Sequence, residues 1–378
     1  MKNKIAYITY QSFPADTANS LQTIYNICTM VEKNLDVTLI FPNREELSSE
    51  NIYDLSSYYK FNQKFDIQRL KHYLPFGRTK KFKKISFHLS HFLWSLYAVS
   101  KVYKSQKYKA FITRSDWVFL FLSFLKKNVI FECHQKSKIR NFCLFFSLKM
   151  KNSKVIFLTE DLRLEYQKYV TKNDSSIVLQ NGYFSHHFEN NDTKLNKVVF
   201  VGEMVRFGDS RNVEFIINTF QNDRLKNYEL VLIGGPDTYV SYLKNENLKN
   251  NIQNVKLLNR VDHKTAINEM MTSKVGVLLN KSKNSHSYLY TSPLKYFEYL
   301  AAGLKVVAVD FPSHRSLPFS DNINFFNEND AESFIKAIED SEKIIPISAE
   351  DFMEYSLENR IQKLIEFARL EGLEPPTL

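Results

Sequence analysis

Cysteine is scarce in this 378-residue chain, with three scattered copies. Cys28, Cys133 and Cys143 cannot build a disulfide framework or a zinc site, and they fit a reducing compartment. No uninterrupted apolar run is long enough to span a bilayer, and Met1 to Thr9 runs into a strand without the apolar stretch of a signal peptide. A cytoplasmic protein is expected. No Gly-x-Gly-x-x-Gly turn follows the first strand, where Gln11 to Asn19 stands instead, and no Gly-Lys-Ser/Thr loop occurs. Ordinary dinucleotide and P-loop sites are therefore excluded. There is no Asp-x-Asp pair, and His186, His187 and His263 lack partners at ligand spacing, so no metal is expected. Zinc-finger spacing, a helix-turn-helix and an RNP-like strand are also missing, and no nucleic-acid partner is expected.

What the chain has is alternation. The runs at Ile5–Thr9, Val37–Phe41, Ala110–Thr113, Val129–Glu132 and Val155–Leu158 read as strands separated by helices, the first spanning about Asp16 to Lys33. Near Asn181-Gly182 the pattern breaks into a turn and a polar stretch. A second series starts at Val198 and continues through Leu230, Val255, Val275 and Val306. The fold class is α/β, with parallel sheets covered on both faces and a length that suits two domains. The divisions are residues 1–180, residues 181–348, a helix over 349–372, and a disordered tail over 373–378.

The most informative segment runs from Thr291 to Pro312. Ser292 and Pro293 predict a helix start, with Ser292 as N-cap and Pro293 at the first helical position. Gly303 predicts its stop, and Val306 to Val309 reads as a buried strand. The helix N-terminus offers N–H groups and a positive dipole end to a phosphate. Glu298, on the same helix, can accept hydrogen bonds from a ribose diol. Together these features point to a nucleotide diphosphate. A buried αβ unit whose glutamate merely pairs is the plainer reading.

This segment resembles the nucleotide-sugar site of retaining glycosyltransferases of the GT-B fold, the large family-four group. Ser292, Pro293, Leu294, Lys295, Phe297, Glu298 and Tyr299 match the Ser-Pro-Leu-Lys-x-Phe-Glu-Tyr form of its motif. The resemblance implies two facing Rossmann-like domains, with the last helix crossing back onto the first. It implies that Glu298 binds ribose hydroxyls. The usual first glutamate of the motif is replaced by Tyr290, which affects contacts to the donor sugar. After Gly202, where the family carries two cations for the diphosphate, Glu203 replaces the first, Arg211 matches the second, and Arg206 offers a further charge. An arginine can neutralise a leaving diphosphate with two hydrogen bonds at once. The resemblance also sets His134, at a strand end, beside the donor sugar, and Asp16 and Asn19 in a loop between donor and acceptor.

The implied activity is transfer of a hexosyl or N-acetylhexosaminyl group from a nucleotide diphosphate sugar to a glycan or lipid-linked glycan, with retention and without metal or cofactor. A nucleotide-sugar epimerase and a non-catalytic GT-B subunit are the alternatives. The net charge of +10 has one concentrated run, Arg78, Lys80, Lys81, Lys83 and Lys84, before the aromatic-rich stretch Ile85 to Tyr97. That run suits peripheral contact with an anionic membrane surface, or a solvated face before a core helix.

Overall fold

Short β-branched and aromatic runs, closed by turn formers, become parallel strands in both halves of the chain. The computed structural model describes residues 4–74, 83–170, 175–188, 193–206, 208–345 and 347–369. Two units result, one of residues 1–180 with 357–378 and one of residues 181–356. The 373–378 tail and the cations Arg78, Lys80 and Lys81 lie outside the described residues, and Lys83 and Lys84 open a helix.

The first unit holds β1 (Lys4–Ile8), β2 (Asp36–Asn43), β3 (Asp66–Lys71), β4 (Tyr108–Thr113), β5 (Val129–Cys133), β6 (Ser153–Phe157) and β7 (Ser176–Val178). Their order is β3-β2-β1-β4-β5-β6-β7, all parallel, so the chain reverses direction across the sheet between β1 and β4. Every side chain of β5 and β6 is buried, as a sheet covered on both faces requires. The helix after β1 is Ala18–Glu32, with the Thr17 hydroxyl accepting from Ser20 N at 3.1 Å as its cap. β3 and β7 escape a pattern reading because they are edge strands with few buried positions; Leu70 is the one buried residue of β3, and β7 has none.

The second unit holds β8 (Leu195–Val201), a hairpin of β9 (Val205–Arg206) and β10 (Asp209–Ser210), β11 (Glu229–Ile233), β12 (Val255–Leu258), β13 (Ser273–Leu278), β14 (Lys305–Val309) and β15 (Ile323–Phe326). Its main sheet runs β12-β11-β8-β13-β14-β15, and the reversal falls between β8 and β13. Strand periodicity divides the core in two. Val198, Phe200, Leu230, Leu232, Val275, Val277, Val307 and Val309 pack on one face. Val199, Val201, Val231, Ile233, Leu278, Val306 and Ala308 pack on the other.

The expected continuous helix over 349–372 is corrected. A short helix, Ala349–Phe352, and a 3-10 turn, Met353–Tyr355, stop at Ser356, which is extended at φ −66° and ψ 154°. A new helix then spans Leu357–Arg369. Two cores compete for this one segment. Phe352 and Tyr355 pack on Phe297 and Phe319 of the second unit. The last helix instead belongs to the first unit. There Arg360 donates to Glu132 Oε1 at 2.9 Å and to Gln180 O at 3.0 Å, and Lys154 donates to Phe367 O at 2.9 Å.

Candidate functional site

Ligand sites of doubly wound sheets form beyond the carboxyl ends of the strands, where the strand order reverses. In the second unit the β8–β13 ladder ends at Val199 and Gly276, before either strand does. Tyr299 fills the opening. Its hydroxyl accepts from Val201 N at 3.0 Å and donates to Val277 O at 3.4 Å. A Cβ on Gly276 would lie 2.5 Å from the Tyr299 ring, so glycine is what admits it. Beyond the opening, the strand ends crowd together at Gly202 and Gly234. A Cβ on Gly234, at φ +159°, would lie 1.8 Å from Gly202 O.

Arg211 crosses this reversal. Its Nε donates to Leu279 O at 2.9 Å, its Nη2 reaches the same carbonyl, and Nη1 donates to Glu203 O at 3.4 Å. A Cβ on Gly202 would meet Nη1 at 3.4 Å, an ordinary contact, so what calls for glycine here is its backbone φ of +152°. Among the described residues no carboxylate comes within ion-pair distance of Arg211, because the Glu203 side chain is taken by Arg260. Burial, with Arg206 nearby, lowers its pKa to about 10, which leaves it charged at neutral pH. Arg206 lies in the β9–β10 hairpin, half-buried, and desolvation lowers its pKa as well.

The helix carrying Glu298 is Leu294–Ala301. Pro293 takes the N-cap place, extended at φ −71° and ψ 123°, so Ser292 is not the cap. Its hydroxyl is buried and has no hydrogen-bond partner among the described residues, and its carbonyl accepts from Asn181 Nδ2 at 2.6 Å. Proline supplies no capping oxygen. The N–H groups of Leu294 and Lys295 precede the first helical turn bond, Tyr296 N to Pro293 O.

Glu298 lies one turn into this helix and is 4% exposed. Lys295 pairs with its Oε2, and His263 Nε2 lies 3.3 Å from its Oε1. Burial pushes the carboxyl up, but Lys295 and the His263 hydrogen bond outweigh it and hold the pKa at about 2. Glu298 is thus a fixed carboxylate with lone pairs to spare. Tyr290, buried, ends the helix Ser285–Leu289. Beside Arg211, fully buried His314 donates through Nδ1 to Val309 O at 2.8 Å; burial brings its pKa down to about 4.

The first unit gathers a second constellation at its own reversal. Arg114, just past β4, reaches the helix after β1, donating to Asn19 Oδ1 at 2.9 Å, Asn19 O at 3.2 Å and Thr23 Oγ1 at 3.3 Å. Its Nη2 also donates to His134 Nδ1 at 2.8 Å, just past β5. An arginine only donates, so Nδ1 must accept and the ring proton sits on Nε2. Nε2 is buried and has no hydrogen-bond partner among the described residues; Glu132 Oε2 stands 3.9 Å away. Burial, then the Arg114 charge, lowers the His134 pKa to about 3, so the ring is neutral. Glu132 is occupied by Arg360 and by the Tyr7 hydroxyl at 2.7 Å.

Of the residues read from sequence, Arg211, Gly202 and Arg206 come together at one loop, while Ser292, Pro293, Leu294, Lys295 and Glu298 share one helix and its entry. Asn19 and His134 meet through Arg114. Asp16 does not join them, being held by the Tyr58 hydroxyl. Sequence reasoning missed His263, Tyr299 and Asn181 as supports. Only the place of His263, just after an aspartate cap, carried any local signal.

Residues 196–341 match the model of the family described as Glycosyl transferases group 1. No curated protein matches. Among solved structures, the chain is similar to a sucrose-phosphate synthase from Thermosynechococcus elongatus at 15% identity, with 98% of each chain covered and a TM-score of 0.67. It is similar to a glycosyltransferase from Rickettsia africae at 10% identity, covering 98% of this chain and 99% of that one, with a TM-score of 0.68. HepE from Anabaena, in complex with UDP, is 11% identical over 96% of this chain and 98% of that one, with a TM-score of 0.66. At such identities the likeness establishes the fold, two Rossmann-like domains of the GT-B type. That architecture and the group 1 match together support a glycosyltransferase.

Proposed function

We propose that the protein moves a sugar from a nucleotide diphosphate sugar to a hydroxyl of a glycan or lipid-linked glycan, with retention at the anomeric carbon. One observation carries this reading: Arg211, charged and without a carboxylate, stands at the second unit's strand reversal. The same unit holds Glu298 ionised one helical turn behind free N–H groups. A diphosphate satisfies the arginine and the N–H groups; a ribose diol satisfies the carboxylate. HepE, a fold relative, binds UDP.

In the proposed step the bond from the anomeric carbon to the phosphate oxygen breaks, and the acceptor oxygen bonds to that carbon on the same face. The acceptor's proton passes to the departing phosphate oxygen. Charge grows on that diphosphate, where Arg211, Arg206 and the helix N-terminus neutralise it in place of a metal. His134 offers its Nε2–H to a sugar hydroxyl, since its neutral form keeps that proton through the working pH range. A lipid-linked acceptor places the protein at the cytoplasmic membrane face.

Titration calorimetry of the full chain with UDP, GDP and other nucleoside diphosphates tests the site. We expect one of them to bind, and Glu298→Ala to weaken it by roughly tenfold to a hundredfold, about 1.5–3 kcal/mol for a lost charge-assisted hydrogen bond. Equal affinity in the variant removes Glu298 from the site. Release of nucleoside diphosphate from the matching sugar donor, retained in EDTA, tests the metal-free transfer.

A further inference from the structure

The charge of this chain is segregated more sharply than its total suggests. Between Ile67 and Thr159 stand 20 Lys and Arg residues and only two acids, Asp116 and Glu132; the rest of the chain has 31 against 39. Both acids are spent inside the first unit, Asp116 on Arg140 at 2.7 Å and Glu132 on Arg360 at 2.9 Å. The exposed charge of this stretch is therefore wholly positive.

The same stretch bears a large apolar surface. The helix Lys83–Val102 buries Trp94, Ala98, Val99 and Val102 in the core. On a separate stripe at spacings of four, four and three it exposes Ile85 (68%), Leu89 (49%), Leu93 (44%) and Leu96 (42%). A helix apolar on both sides has a second neighbour to meet. A chain of rings extends the stripe onto the next two helices. Phe92 meets Trp117 of Asp116–Phe124 at 4.9 Å, and Trp117 meets Phe142 of Lys138–Ser147 at 6.4 Å. There Phe124, Phe142 and Phe145 are 40–52% exposed. Lysines mark the ends of these helices, with Lys126, Lys138, Lys149 and Lys151 all exposed. Among the described residues none of the four has a carboxylate within ion-pair distance, and Lys149 stands 3.8 Å over the Phe145 ring.

We propose that this three-helix face docks on an anionic lipid bilayer. Aliphatic and aromatic side chains enter the acyl boundary while the lysines meet the headgroups. A second copy of the chain is the poorer occupant, because two such faces would set like charges together. A nucleic acid is poorer too, since Ile85, Leu89, Leu93 and Leu96 offer nothing to a phosphate backbone. The inference extends well past the Arg78 to Lys84 run and stands whether or not the protein transfers sugar.

The test is sedimentation of the full chain with vesicles of phosphatidylcholine, with and without about one third phosphatidylglycerol, at low and high salt. We expect binding to the anionic vesicles only, weakened by salt. Changing Lys126, Lys138 and Lys149 to Gln together should weaken it roughly a hundredfold, about fivefold for each lysine. Leu89→Ser with Leu93→Ser should abolish it while the thermal midpoint holds. If that pair unfolds, the lysine variant carries the test, because it alters no packed core. Failure of the parent to bind anionic vesicles overturns the proposal. So do undiminished binding by the lysine variant and a parent dimer that Leu93→Ser separates, which would give the face to a second copy.

Discussion

Both units use one device, an arginine laid across the strand reversal, and they use it to opposite ends. In the first, Arg114 spends its N–H groups on Asn19, Thr23 and His134, so its product is orientation: one imidazole tautomer, held neutral, with its buried Nε2 3.9 Å from Glu132 Oε2. In the second, Arg211 rests on the carbonyls of Leu279 and Glu203, which orient it but leave its charge uncancelled. The same fold thus yields a hydrogen-bonding site in one copy and a cationic site in the other. What decides the outcome is the partner each arginine finds. Every acceptor in both sets is neutral; what differs is that Arg114 commits four hydrogen bonds, one of them to the imidazole it orients, while Arg211 commits three, all to two main-chain carbonyls.

The largest expected effect follows from that difference. Arg211→Gln should cut sugar transfer at least a hundredfold, the scale of removing one charged donor from a leaving group. Arg211→Lys should recover little, because an ammonium cannot hold the Leu279 carbonyl and a phosphate with one planar fork. Steady-state rates with the donor identified by calorimetry give the answer. A loss no greater than that of Arg114→Gln would erase the distinction between the two arginines.

The contrast also shows what the sequence makes legible. Central strands such as Val198–Val201 and Val306–Val309 stand out because they are buried on both faces and read as unbroken apolar runs. The edge strands Asp66–Lys71 and Ser176–Val178 do not, since their exposed positions dilute the pattern. Arg211 and Glu298 stand out because each follows a glycine or proline that marks an element end and falls on a charged position of the resembling motif. Arg114, His263 and Arg360 acquire their partners only when segments far apart in sequence meet, with separations of 20, 35 and 228 residues to His134, Glu298 and Glu132. The Ser292 cap failed for a local reason: Pro293 took the extended N-cap conformation itself, one residue later than the composition suggested.

A middle-sized effect should separate orientation from charge. Arg114→Lys keeps a cation but loses the fork that joins Asn19 to His134. Turnover should fall about tenfold with donor KM nearly unchanged, because the proposed function assigns the donor's phosphates to Arg211 and the Leu294–Ala301 helix rather than to Arg114. Arg114→Gln also removes a charge that depresses the His134 pKa, so the acid limb of turnover should move to higher pH. An unmoved limb would reduce Arg114 to a packing role.

The smallest expected effect per group concerns acid stability, and here too the units differ. His72, His91 and His134 of the first unit have pKa values lowered to about 4, 4 and 3 by burial, while the second has His314 at about 4. Below the ordinary value of 6.5 the unfolded chain takes up protons that these folded rings refuse, so stability must fall as pH drops from 6.5 toward 4. At pH 6 the loss is under about 1 kcal/mol for each histidine. The carboxylates act later and in the same direction. Glu298, held at about 2, and Glu132, also depressed, begin to give up their contribution only as pH falls below 4.5. Between pH 6.5 and 4.5, then, three titrating rings weigh on the first unit and one on the second. Native-state hydrogen exchange at those two pH values should show protection lost first in β1, β4 and β5. Earlier loss in β8, β11 and β13 would mean that the histidines do not set the acid limit, and that the cationic unit is the weaker of the two.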